Sequence, residues 1–224
     1  MNNGFLLIII IGIVGFIVQA KLTSVFKKYS KVMTPGGLTG REVAEKMLRD
    51  NGIYDVHVTS VKGKLTDHYN PQTKTVNLSE SVYGSNSVSA AAVAAHECGH
   101  AVQHKVGYAP LKLRSFLVPV VSFSSMWAQL FIIIGIFTME FLPALFWLGI
   151  LMFAMVLVFS VITLPVEYNA SRRALAWLDN SGTLQAIGVD QAREALMWAA
   201  RTYLVAALSA LASLVYYLGF ANRD

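Results

Sequence analysis

Apolar and polar positions are patterned on two scales along this chain. Residues 1–20, 115–139, 141–166 and 202–222 contain no Asp, Glu, Lys or Arg and are almost continuously apolar. Each is long enough to cross a hydrocarbon core of about 30 Å, which takes roughly 20 helical residues. Between them the pattern is short and mixed. Thr39-Gly40-Arg41-Glu42 reads as a capping box. The helix it opens has Val43, Ala44, Met47 and Leu48 on one face and stops near Asn51-Gly52. Runs at about 55–61, 65–69 and 74–78 predict three strands, with Gly63 and Asn70-Pro71 in the turns. This spacing predicts an antiparallel meander, which has to pack on a helix to be stable. An alanine-rich helix predicted over 87–105, ended by Gly107 and Pro110, is that partner. Beyond Pro165 a helix is predicted around 166–179, and another near 190–201 precedes the last apolar stretch.

The pattern predicts a multi-pass α-helical membrane protein of four spans with a small α+β domain. Its parts are an anchor at 1–20, the α+β domain at 21–114, spans at 115–139 and 141–164, a helical segment at 165–201, and a span at 202–222. A hydrophobic content of 55% excludes an ordinary soluble domain. Net charge is +5, and its placement gives orientation: of 18 Lys and Arg, 13 lie between Lys21 and Arg114 and four between Arg172 and Arg201. By the positive-inside bias both polar segments face the cytoplasm and both termini face out of the cell membrane. Lys21, Lys27, Lys28 and Lys31 are placed to meet lipid headgroups, and nothing points to a nucleic-acid partner. Val18-Gln19-Ala20 resembles a signal cleavage site, but no positive charge precedes the apolar core, so an uncleaved anchor is expected. The single cysteine, Cys98, excludes an intramolecular disulfide and reads as buried filler.

Candidate chemistry sits in the alanine-rich helix, within Ala95 to His104, AHECGHAVQH. His96, Glu97 and His100 form an H-E-x-x-H motif. Residues i and i+4 share a helical face about 6 Å apart along the axis, so both imidazoles can bind one metal. Glu97 follows the first ligand, where a carboxylate can take a proton from activated water.

A catalytic zinc usually takes three protein ligands. His104 lies about 12 Å along the helix from His96, too far to converge on the same ion without a break. Glu167 is favoured by topology, since two spans after the motif helix the chain returns to the same membrane face at Pro165. Asp67 and His68 are the alternatives.

Leu65 to Pro71 (LTDHYNP), Val76 to Ser79 (VNLS), AAHECGHAVQH and Pro165 to Ala174 (PVEYNASRRA) resemble the YugP-type neutral zinc metallopeptidases, membrane proteins similar to the HtpX heat-shock and CAAX-prenyl peptidases. The resemblance implies a zincin-like, gluzincin-type site: His96, His100 and Glu167 on one Zn2+ per chain, with Glu97 as general base. Ser171 stands where the wider group carries an acidic residue, and no His follows His104 to match that group's downstream oxyanion histidine. Tyr168, Arg172 and Arg173 are therefore the nearby candidates for oxyanion donor, and Ser171 and His104 for orienting a ligand. In the zincin fold the last strand before the motif helix is an exposed edge that takes the substrate as an extra strand. Thr75, Val76, Asn77 and Leu78 hold that position.

The expected function is a membrane-bound zinc metalloendopeptidase facing the cytoplasm and cutting membrane-associated or unfolded protein or peptide substrates. The alternative is a zinc-binding membrane scaffold or regulator with impaired catalysis, to which Ser171 and the missing downstream His point. An intramembrane protease is excluded, because the apolar run before His96 is too short to span and no uncharged stretch offers an Asp ligand.

Overall fold

The computed structural model describes residues 3–221. In chain order the elements are α1 (Asn3–Tyr29), α2 (Gly40–Asp50), β1 (His57–Val61), β2 (His68–Asn70), β3 (Thr75–Ser79), α3 (Glu80–Tyr83), α4 (Val88–Lys105), α5 (Ala109–Phe137), α6 (Pro143–Asn180) and α7 (Ala186–Ala221). The protein is mostly helical with one small sheet. Among the described residues four helices, at Gly4–Tyr29, Ala109–Phe137, Pro143–Asn180 and Ala186–Gly219, are long and apolar enough to cross a membrane. The predicted helix after Pro165 is not separate: α6 runs unbroken through Pro165, and α7 likewise carries the last apolar stretch on from its polar start. A proline removes one backbone donor, a loss that membrane helices tolerate.

The chain divides into two compact units. The first comprises Met1–Gln19, Lys112–Pro165 and Arg201–Asp224, the apolar parts of α1, α5, α6 and α7. Here α5 and α6 approach closely at Gly149, where a Cβ would lie 2.8 Å from the Ile132 nitrogen. Ile132, Phe146 and Ile150 form the core of that contact.

The second unit, Ala20–Leu111 and Val166–Ala200, contains α2, the sheet, α3, α4 and the polar ends of the long helices. The Thr39–Glu42 capping box is formed in full at the start of α2. Val43, Ala44, Met47 and Leu48 of α2 pack with Val76 and Leu78 of β3, with Ala91, Ala94, Ala95 and Cys98 of α4, and with Ala174 and Leu178 of α6. Alanines let α4 lie close to its neighbours while still contributing helix propensity.

The sheet departs from the expected meander. Its order is β1-β3-β2, with β1 parallel and β2 antiparallel to β3. The connection from β1 to β3 is long enough for a parallel crossover because it contains β2 itself. The substrate-edge assignment of Thr75, Val76, Asn77 and Leu78 is corrected by the same topology. β3 is the central strand, so its hydrogen-bonding edges are already occupied. β1 pairs along it from Thr75 to Ser79 and β2 from Thr75 to Asn77. Past the end of β2, Asp67 takes over by accepting from the Ser79 N–H at 2.7 Å and hydroxyl at 3.1 Å.

Candidate metal centre

The H-E-x-x-H segment lies well inside α4, whose start is fixed by Ser87 accepting from the Ala90 N–H. His96 and His100 project toward α6, and Glu167 of α6 meets them. One ligand atom from each of the three side chains lies within 4.8 Å of the others. Glu167 Oε2 is 3.2 Å from His96 Nε2 and 3.6 Å from His100 Nε2. The imidazoles stand edge to face, with ring centres 4.9 Å apart. Helix spacing supplies the histidine pair, and α6 supplies the carboxylate from the first turn beyond Pro165.

α4 and α6 come this close because of Gly99. A Cβ there would lie 2.6 Å from the Ala170 carbonyl oxygen, so only glycine fits the crossing as it stands.

The outer nitrogens of both imidazoles are occupied. Ser171 Oγ lies 3.1 Å from His96 Nδ1, and Gln103 Oε1 lies 3.0 Å from His100 Nδ1. Gln103 is fully buried and donates to the Val166 carbonyl at 2.8 Å and to Asn169 Oδ1 at 3.0 Å. With its Nε2 donating twice, its Oε1 accepts from the His100 Nδ1–H, while His100 Nε2 faces the Glu167 carboxylate, which can only accept. At His96 the Glu167 carboxylate accepts from Nε2, and the Ser171 hydroxyl, which can donate or accept, serves Nδ1. Burial by itself lowers the His100 pKa, but the hydrogen bond and charge of Glu167 more than offset this and hold it above the usual histidine value. The cluster thus stabilises a positive charge between its nitrogens and oxygen.

This donor set fits zinc. Tetrahedral coordination with bonds of about 2.0–2.2 Å puts neighbouring ligand atoms about 3.4 Å apart, and the two separations to Glu167, 3.2 and 3.6 Å, bracket that value. Two neutral imidazoles and one buried carboxylate leave a fourth position open, as catalytic sites require.

The remaining candidates fall into different places. Glu97 is buried beside the cluster without belonging to it, and its carboxylate makes no hydrogen bond or ion pair with any described residue. His104 lies outside the cluster, with Nδ1 2.8 Å from the Tyr69 hydroxyl. Asp67 is engaged with Ser79, while His68 bonds Thr66 and Asn77, so neither joins the metal cluster. Arg173 is held by Asn169 at 2.8 Å, while Tyr168 and Arg172 line a cavity along α6. Cys98 is buried in the core with its thiol near the Ala44 carbonyl, and burial pushes its pKa well above the ordinary thiol value. Gln103 and Gly99 were not identified from sequence as parts of the site. Gln103 could have been found, because it lies three residues after His100 on the same face.

Residues 4–222 match the family described as "Putative neutral zinc metallopeptidase". Over 214 residues the chain is 43% identical to the "Putative membrane protease YugP" of Bacillus subtilis (strain 168), covering 96% of this chain and 94% of that one. No solved structure matches the chain. With the match running from the first apolar helix to the last, the chain belongs to this neutral zinc metallopeptidase family of membrane proteins.

Proposed function

We propose that the protein is a membrane-bound zinc endopeptidase of the gluzincin type, with His96, His100 and Glu167 holding one zinc ion per chain and Glu97 as general base. The observation that carries the reading is the convergence of His96, His100 and Glu167, one ligand atom of each lying within 4.8 Å of the others. Zinc bound in such a site supplies Lewis acidity, which polarises a peptide carbonyl and makes water nucleophilic near neutral pH. With zinc bound, Ser171 and Gln103 would accept from the two Nδ1 nitrogens, leaving the Nε2 lone pairs for the ion. Glu97 makes no hydrogen bond or ion pair among the described residues, and its carboxylate takes the proton of the attacking water and passes it to the departing amide nitrogen. Tyr168, next to Glu167 in the chain and half exposed, is the candidate donor for the developing oxyanion.

The catalytic domain in this reading comprises residues 21–114 with the helical segment 165–201, and it is zincin-like in pairing a small sheet with the motif helix. The concentration of Lys and Arg in these two segments supports a cytoplasmic orientation at the cell membrane. Tethering by four spans favours membrane-associated or unfolded proteins as substrates.

Purified Glu97→Gln protein tests the assignment. Its zinc content stays at the wild-type level while peptide hydrolysis falls by about 10²–10⁴-fold. Unaltered turnover would contradict the assignment of Glu97, and with it the mechanism.

A further inference from the structure

We infer that the cleft between α6 and α7, beside the metal cluster, is the pocket that selects the substrate, taking a large apolar side chain that has an acidic residue next to it. The inference rests on the hydrolytic reading above and extends it to specificity.

The cleft is a cavity of about 410 Å³, within the size range of ligand pockets. Its apolar wall is made by Leu175 of α6 and by Leu196 and Met197 of α7. One wall residue joins it to the metal cluster. Ser171 lines the cavity, and its Oγ lies 3.1 Å from His96 Nδ1. Exposure points to the same flank. His96 is the most open of the three cluster side chains, at 12% against 8% for His100 and 2% for Glu167. Of the three, His96 is thus the one solvent reaches most, and its partner Ser171 is shared with the cleft. On the far side Gln103 closes off His100.

The charges around the cleft select what accompanies the apolar group. Arg172 and Arg193 both line it and both are exposed, against one carboxylate, Asp179. Arg172 has no ion-pair partner among the described residues, and Arg193 reaches only the exposed Asp190, at 3.8 Å. The lining therefore carries an excess of positive charge that attracts an acidic residue and repels Lys or Arg. An apolar wall beneath uncommitted guanidinium groups fits a side chain such as Leu or Phe with Asp or Glu adjacent.

Two variants test this in full-length, zinc-loaded protein in detergent, with cleavage sites in a mixed peptide library mapped by mass spectrometry. Ala176→Trp fills the cavity from its exposed α6 wall. It should keep wild-type zinc content and lower kcat/KM for sites with Leu or Phe relative to sites with Ala by about 10–200-fold. Arg172→Glu with Arg193→Glu should reverse the preference for a neighbouring acidic residue. Binding is read separately by fluorescence anisotropy of a labelled Leu-Glu-containing peptide on the Glu97→Gln protein, and it weakens when Ala176→Trp is added. Cleavage by wild-type and Ala176→Trp proteins with the same residue profile would overturn the pocket assignment and leave the peptidase reading intact. No cleavage by zinc-loaded wild-type protein would overturn both.

Discussion

Gly99 gives the sharpest test of how the site is held together. In Gly99→Ala the new methyl lies 2.6 Å from the Ala170 oxygen and 3.1 Å from the Ala170 carbonyl carbon and Cα. Relieving this to an ordinary contact of about 3.4 Å requires roughly 0.8 Å of separation between α4 and α6 at that level. Glu167 lies three residues before Ala170 on α6, less than one turn away, so it moves with the displaced backbone. Zinc–ligand distances tolerate about 0.2 Å, and a shift several times larger takes the carboxylate out of reach of an ion held by His96 and His100. Forcing the helices back together costs about 1–3 kcal/mol, as overpacking does elsewhere. If that cost falls on zinc binding, the dissociation constant rises by about 5–150-fold. Competition with a fluorescent chelator in detergent measures the affinity, and thermal unfolding of the same samples shows whether the fold survives. Zinc affinity within twofold of wild type, with an unchanged unfolding temperature, would refute the argument from close approach.

Three further outcomes are expected. Gln103→Leu removes the acceptor on His100 Nδ1 and both donors to α6. It should lower zinc affinity by about 10–100-fold, read by the same competition. The raised pKa of His100 in the metal-free protein fixes the pH dependence. Its pairing with Glu167 stabilises the metal-free fold fully below the unfolded histidine value and is lost as pH rises through the folded value. Zinc must displace that proton, so its affinity should fall with acidification beginning above the usual histidine range, measured by titrations between about pH 5 and 8. A reporter fused after Gly63 should be cytoplasmic and one at the C-terminus outside, by protease protection of intact cells; an outside Gly63 fusion would reverse the orientation.

What the sequence made readable differs from element to element. The four long apolar helices follow from uncharged stretches whose lengths match a bilayer core. Helical spacing brings His96 and His100 together, and the return of the chain at Pro165 singled out Glu167, which the structure groups with them. The sheet was harder, because alternation in TVNLS marks a strand but not its partners, and only the tertiary arrangement puts β3 between β1 and β2. Pro165 read as a boundary, yet the helix continues through it. Gln103 and Gly99 act through Val166, Asn169 and Ala170, more than sixty residues away in the chain. No local pattern reports those contacts with α6, although the spacing of Gln103 from His100 is itself helical.

The central claim is that Glu167, and not His104, completes a zinc site with His96 and His100. Metal content of purified wild-type, Glu167→Ala and His104→Ala proteins, measured by elemental mass spectrometry, tests it most directly. The account predicts sharply reduced zinc in Glu167→Ala, because a three-ligand site loses its only carboxylate. His104→Ala should hold zinc near the wild-type level, since that imidazole is engaged with Tyr69 two turns along α4 from His96. Full zinc in Glu167→Ala together with its loss in His104→Ala would contradict the account.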